Sequence, residues 1–189
     1  MFGQIYKEFF VKITFNSPVV LSFAAISLGV LFLSFLTKGA IDQYFTYNSA
    51  NLLTLGLYPL GHVSFDHFAG NMMFLILLGP ALEEKYGSTP LFLMILFTAI
   101  VTAIVNGVIF NTGIIGASGI VFMMIVLSSF TNATEKELPG TSILIIALYL
   151  GRELFDGMSP SNVSHFGHIL GGICGGVFGI FNLKTQNKA

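Results

Sequence analysis

Six apolar segments, separated by short polar stretches, run along this chain of 189 residues and constrain its fold more than any other feature. Two of them, residues 62–82 and 91–110, have the roughly 20 residues that an α-helix needs to cross a bilayer. Only 9% of the residues are charged, whereas about 25% is usual in a soluble domain. We therefore expect an all-α membrane protein, because a soluble core of this size cannot bury so much apolar surface.

The other four segments complete a predicted bundle of six transmembrane helices. They cover about residues 18–36, 116–130, 142–150 and 166–181. The fourth and fifth spans are short, and short helices are tolerated where a bundle shields them from lipid. We expect residues 17–184 to form the six-helix transmembrane domain and residues 185–189 a cytoplasmic tail. Residues 1–16 would form a short N-terminus that is cytoplasmic or interfacial, as an amphipathic surface helix or as a lead-in to the first span.

The basic residues predict the orientation of the bundle. If the N-terminus is cytoplasmic, the outer segments hold only Lys38 and Arg152, and the other basic residues lie on the inner side, namely Lys7, Lys12, Lys85, Lys136, Lys184 and Lys188. Basic residues accumulate on the cytoplasmic side of membrane proteins. This predicts that both termini are cytoplasmic. The compact six-span form favours a bacterial cytoplasmic (inner) membrane, with an organellar membrane as the alternative. The net charge of −1 gives no indication of a nucleic-acid partner.

Polar residues cluster where the second, fourth and sixth spans begin. His62 and His67 open the second span, Ser118 opens the fourth, and His165 and His168 open the sixth. In the predicted topology all three spans begin on the external side, so these side chains lie at similar depth. Ionisable groups inside a membrane are costly and usually functional. We therefore expect a site that opens to the external, periplasmic side.

Helical spacing places several of these residues on shared helix faces. The sets that share a face are His67 with Asn71, Ser118 with Phe122, and His168 with Gly171 and Gly175. Small residues allow two helices to approach closely. If the two glycines of the sixth span pack against the Gly119 side of the fourth helix, His168 is brought near Ser118.

These residue types favour nucleophilic catalysis. A serine hydroxyl becomes an effective nucleophile when a base takes its proton, and histidine is the natural base near neutral pH. We predict Ser118 as the nucleophile and His168 as its base. The side-chain amide of Asn71, a ring N–H of His67 and the backbone N–H of Ser118 can stabilise the oxyanion. No carboxylate lies within helical reach of His168, so the sequence predicts a dyad, with Phe122 placed to stack on the histidine ring.

Three motifs in these spans resemble those of the rhomboid family of intramembrane serine proteases. They are Gly116-Ala117-Ser118-Gly119, then His62, His67 and Asn71, and finally His168, Gly171 and Gly175, within a resemblance that covers about residues 45–182. The resemblance implies the same roles for the dyad and the oxyanion donors. It adds Gly116 as the residue that shapes the nucleophile turn and Glu83 as a structural carboxylate. Some bacterial rhomboids carry tyrosine at the position of Phe122, which leaves the predicted stacking intact.

The resemblance implies an endopeptidase that hydrolyses peptide bonds in or near transmembrane segments of membrane-protein substrates, with no metal and no cofactor. Two other functions stay open. One is a catalytically inactive rhomboid-like protein that binds transmembrane helices. The other is a metal-binding membrane protein, because His165 and His168 have a helical ligand spacing. His165 is also a second candidate base, whereas we expect His62 to be structural and Arg152, Glu153 and Asp156 to form a solvated loop.

Overall fold

The computed structural model describes residues 14–110, 112–134, 136–156 and 165–186, and most of the predicted N-terminal segment 1–16 lies outside them. Within the described residues, six helices of 12 residues or more form a bundle. They are α1 (Pro18–Leu36), α2 (Phe65–Tyr86), α3 (Ser88–Phe110), α4 (Ser118–Ser129), α5 (Gly140–Asp156) and α6 (His165–Gln186). Four of them, all except α4 and α5, are long and apolar enough to cross a membrane. The predicted all-α membrane bundle is confirmed.

The short helix α4 lies at the centre of the bundle. It packs against α2, α3 and α5, and most extensively against α6. Most of its side chains are buried, namely Ile120, Val121, Met123, Met124, Ile125, Val126, Leu127 and Ser129. A helix of 12 residues is about 18 Å long, well short of the roughly 30 Å of a bilayer core. It is stable here because its neighbours, rather than lipid, surround it.

Several helix boundaries differ from those predicted, and two of the differences change where polar residues lie. Helix α2 begins at Phe65 rather than near His62, because Ser64 caps it and accepts the backbone N–H of His67 at 3.1 Å. His62 therefore lies in the preceding loop. Helix α5 continues to Asp156, so the solvated loop predicted around Arg152 was wrong. Charged residues such as arginine and glutamate are good helix formers, and they extend a helix beyond its apolar part.

Charged side chains at the C-terminal end of α2 join three helices. The carboxylate of Glu83 accepts the backbone N–H groups of Val19 and Val20, which open α1, each at 3.0 Å. The ammonium group of Lys85 donates to the backbone carbonyls of Phe130 and Thr131, where α4 ends. A negative group at a helix start and a positive group at a helix end both stabilise the helix dipole. The C-terminus of α2 thus lies beside the start of α1 and the end of α4, so α2 and α4 are parallel.

Helices α4 and α6 also run parallel, in close backbone contact. Along α6, Gly171 faces the backbone of Gly119, Gly175 faces that of Met123, and Gly179 faces the ring of Phe130. A methyl group at Gly171 or Gly175 would overlap a backbone carbonyl oxygen of α4. The N-termini of α2, α4 and α6 therefore meet at one end of the bundle.

Replacing Glu83 with glutamine is expected to lower the free energy of unfolding by about 1–3 kcal/mol, because hydrogen bonds to charged groups contribute that much. The Glu83 carboxylate is buried and serves Val19, Val20 and the hydroxyl of Ser88, which lies 2.7 Å away. A neutral amide offers one acceptor oxygen instead of two. Thermal unfolding in detergent measures the loss, with Glu84→Gln, an exposed neighbour, as the matched control. Identical unfolding temperatures for the two variants would contradict the capping role.

Candidate active site

A cavity of about 370 Å³ lies where the N-termini of α2, α4 and α6 meet. Side chains from all three helices reach it, and its lining includes Tyr58, His67, Thr102, Gly116, Ser118 and His168. The structure thus brings the predicted hydroxyl and two of the predicted imidazoles to one cavity. Each of the three helices contributes one of these groups, so the sequence of a single helix does not reveal the site.

Ser118 is the first residue of α4, and the turn before it depends on glycine. Gly116 has a φ of +112°, a conformation that side chains rarely adopt. A Cβ at Gly116 would also lie 2.5 Å from Cε1 and 2.8 Å from Nε2 of the His67 ring. The Gly116 N–H donates to the carbonyl of Tyr58 at 3.0 Å, which holds the turn against the preceding loop. Since the first N–H groups of a helix have no partner within it, the Ser118 amide has no acceptor inside α4.

His168 is held by an aromatic stack and by close helix packing. Its buried ring lies parallel to that of Phe122, with centroids 4.5 Å apart and an interplanar angle of 4°. Phe122 in turn meets the ring of Tyr149 from α5 edge to face at 6.1 Å. One turn after His168, Gly171 lies against Gly119. The stack sets the orientation of the imidazole, and the glycine contact sets its height beside Ser118.

His67 and Asn71 occupy the first two turns of α2. The ring of His67 lies in the cavity wall and close enough to His168 for their charges to interact. Asn71 is buried, and its Nδ2 donates to the His67 carbonyl at 3.0 Å. Asn71 does not belong to the described cavity lining. An amide carries two N–H groups, so one donor of Asn71 remains after this bond.

The other two histidines flank this centre. His62 is only 3% exposed, and its ring meets that of His67 at a centroid distance of 5.1 Å and an angle of 65°. Burial, and then the nearby His67, lower the pKa of His62 to about 4, so this ring is neutral at physiological pH. The ring of His165 lies 6.2 Å from that of His168. Neither His62 nor His165 belongs to the described cavity lining.

Two polar side chains that line the cavity, Tyr58 and Thr102, were not predicted from the sequence. Tyr58 comes from the loop before α2, and its hydroxyl donates to the carbonyl of Ala99 at 3.1 Å. Burial raises its pKa, so it stays protonated. Thr102 comes from α3, where Thr98, Thr102 and Asn106 form a buried polar stripe with a spacing of four residues. That stripe on an otherwise apolar helix was a usable signal, whereas nothing local marks Tyr58. Within the described residues, no three His, Cys, Asp or Glu side chains are arranged to hold a metal ion.

Fold and site together define a class: a multi-pass helical membrane protein with serine and histidine side chains at one cavity. The Rhomboid domain family model matches residues 49–185, and the chain belongs to the rhomboid family. It is similar to Rhomboid-like protein 11, chloroplastic, of Arabidopsis thaliana, with 25% identity over 128 residues, or 67% of this chain. It is also similar to Rhomboid protease GluP of Bacillus subtilis, with 31% identity over 121 residues, or 62% of this chain. The matches span 42% and 23% of the lengths of these two relatives.

Proposed function

We propose that this protein is an intramembrane serine endopeptidase that hydrolyses peptide bonds in or near the transmembrane segments of membrane-protein substrates. The observation that carries the proposal is that Ser118 and His168, from parallel neighbouring helices, line the same cavity. Membership of the rhomboid family supports this function, and so does the similarity to a relative named as a protease.

In the proposed reaction, His168 takes the hydroxyl proton of Ser118 as the serine oxygen attacks the substrate carbonyl. The imidazolium that forms lies over the face of Phe122, and an aromatic face stabilises a nearby cation. His168 then gives the proton to the leaving amine, which departs and leaves an acyl-enzyme. Water attacks the acyl-enzyme with His168 again as the base, and the carboxylic acid product is released as Ser118 regains its proton.

The oxyanion of each tetrahedral intermediate needs donors that are already in place. We assign this role to the backbone N–H of Ser118 and to a ring N–H of His67, since both residues line the cavity. Asn71 supplies its second amide N–H to the same oxyanion, while its first N–H donates to the carbonyl of His67. Because the donors come from both α2 and α4, their distances to the oxyanion depend on how these two helices are positioned.

The orientation of the protein in the membrane is part of the proposal. The excess of lysines near the C-terminal end of α2 and in the other inner segments supports a cytoplasmic position for both termini. The cavity then opens to the external side of a bacterial cytoplasmic membrane, where water for hydrolysis enters. The partners in this proposal are the lipid bilayer and transmembrane protein substrates.

Active-site labelling tests the proposal directly. A fluorophosphonate is expected to label the purified protein at Ser118 alone, located by mass spectrometry of the modified peptide, while the same preparation cleaves a model transmembrane substrate. Ser118→Ala should abolish labelling. Ser128→Ala, near the other end of the same helix, should leave labelling unchanged.

Three outcomes would count against a serine protease. Labelling that persists in Ser118→Ala would show that Ser118 is not the nucleophile. Binding of transmembrane helices by a folded, unlabelled wild-type protein would favour an inactive rhomboid-like protein. Loss of cleavage on addition of a chelator would favour a metal-dependent function of the histidines.

A further inference from the structure

His62 has no part in the proposed reaction, yet it touches one of the proposed oxyanion donors. Its ring is buried in the loop before α2, edge-on to the rings of His67 and Phe68, at centroid distances of 5.1 Å and 5.4 Å. If this buried imidazole only filled space, its two polar nitrogens would lose their hydrogen bonds to water without replacement, which is unfavourable. Packing alone is therefore a poor reason for histidine at this position.

Several ring nitrogens of His62 and His67 lack hydrogen-bond partners among the described residues. Both ring nitrogens of His62 and the Nδ1 of His67 are buried and make no hydrogen bond of ordinary geometry with any described residue. Buried polar side-chain atoms are paired in the large majority of cases, so three unpaired nitrogens on two touching rings are unusual. The simplest resolution is that the rings pair with each other after a small rotation. Hydrogen bonds of an active site are commonly loose until substrate binds.

The location of Nε2 in His67 indicates which of the two rings donates the hydrogen bond. The Cε1–Nε2 edge of His67 lies against Gly116, two residues before Ser118, whereas Nδ1 lies farther from that turn. To donate to an oxyanion at Ser118, a neutral His67 must carry its proton on Nε2. Its Nδ1 is then an acceptor and needs a donor. His62 is neutral at physiological pH, since burial and the neighbouring His67 lower its pKa to about 4, and a neutral imidazole has one N–H to give.

We propose that His62 is a positioning residue whose ring N–H donates to Nδ1 of His67 and thereby keeps the Nε2 proton of His67 directed at the oxyanion. This inference rests on the proposed function, because it presumes the oxyanion role of His67. It assigns to His62 a chemical task in place of the structural role predicted from the sequence.

The kinetic test replaces His62 with phenylalanine, which keeps a flat ring against His67 and Phe68 but removes both nitrogens. We expect kcat to fall about tenfold with KM unchanged, less than the 100- to 1000-fold that loss of a donor itself costs. His62→Asn, which restores an N–H, should recover part of kcat. In a His67→Ala background, His62→Phe should have no further effect. Additive losses, or a change in KM alone, would overturn the inference.

The spectroscopic test does not depend on catalysis. In the full-length protein labelled with ¹⁵N-histidine in detergent micelles, the signals of His67 are assigned by their absence from His67→Ala. We expect the Nε2–H tautomer of His67 in wild type and a mixture of tautomers in His62→Phe. A wild-type Nδ1–H tautomer of His67 would overturn the inference. It would arise if His62 donated its ring N–H to the backbone carbonyl of Leu60 instead of to His67. An unchanged tautomer in His62→Phe would overturn it as well, whereas cleavage by Ser118→Ala would overturn the proposed function instead.

Discussion

Alanine at Ser118 or at His168 is expected to reduce substrate cleavage by about 10⁴-fold or more, because each substitution removes one half of a catalytic pair. The two side chains act as a unit: the hydroxyl is inert without the base, and the base has no proton to take without the hydroxyl. The double variant should therefore be no slower than the single variants. Initial rates of cleavage of a model transmembrane substrate in proteoliposomes measure the effect, with thermal unfolding to show that each variant is folded.

The matched control for the base is His165→Ala. The ring of His165 lies 6.2 Å from that of His168 but outside the described cavity lining, so this variant should keep near wild-type activity. If His165→Ala were inactive and His168→Ala active, the base would have to be reassigned. Full activity in Ser118→Ala would end the protease hypothesis altogether.

The second large effect is expected for Gly171→Ala. The added methyl group would overlap the backbone carbonyl of Gly119, and a backbone atom cannot swing aside as a flexible side chain can. Helix α6 must then shift away from α4. Overpacking of this kind costs about 1–3 kcal/mol of stability, and a displacement of about 1 Å at an active site can cost about 100-fold in rate. We expect both losses, measured as unfolding temperature and cleavage rate.

Gly176→Ala provides the control for this experiment. A methyl group at Gly176 meets only Cγ1 of Val126, at 4.0 Å, which is an ordinary van der Waals contact. This variant should retain its stability and activity while adding the same methyl group to the same helix. Wild-type behaviour of Gly171→Ala would show that the α4–α6 contact does not position His168.

Much of the site was predictable because a membrane makes polar residues conspicuous. Ser118, His67 and His168 stand out at the starts of apolar segments, and the basic residues predict that these starts share one side. Helical spacing also predicted that Gly171 and Gly175 share the His168 face of α6, where small residues permit backbone contact with another helix. These inferences depend on periodicity and composition, which a sequence displays directly.

The remaining features depend on contacts that no local pattern encodes. Tyr58 reaches the cavity because the loop before α2 folds back on the turn at Gly116. The amide of Asn71 donates one N–H to the carbonyl of His67, and such a rotamer is not visible in a helix pattern. The start of α2 was predicted too early, although Ser64, a good N-cap residue, marks the boundary in the sequence.

The 12-residue length of α4 has a consequence for which substrates the proposed protease can use. Its first residue is the proposed nucleophile. If the other end of this helix, about 18 Å long, lies at the cytoplasmic surface of a bilayer core about 30 Å thick, the serine oxygen lies below the external surface rather than at it. A peptide bond inside an intact α-helix has its carbonyl oxygen engaged and its carbon shielded by side chains. The enzyme would therefore discriminate by the energy needed to fray a helix, and segments weakened by glycine or proline would be cut ahead of stable ones.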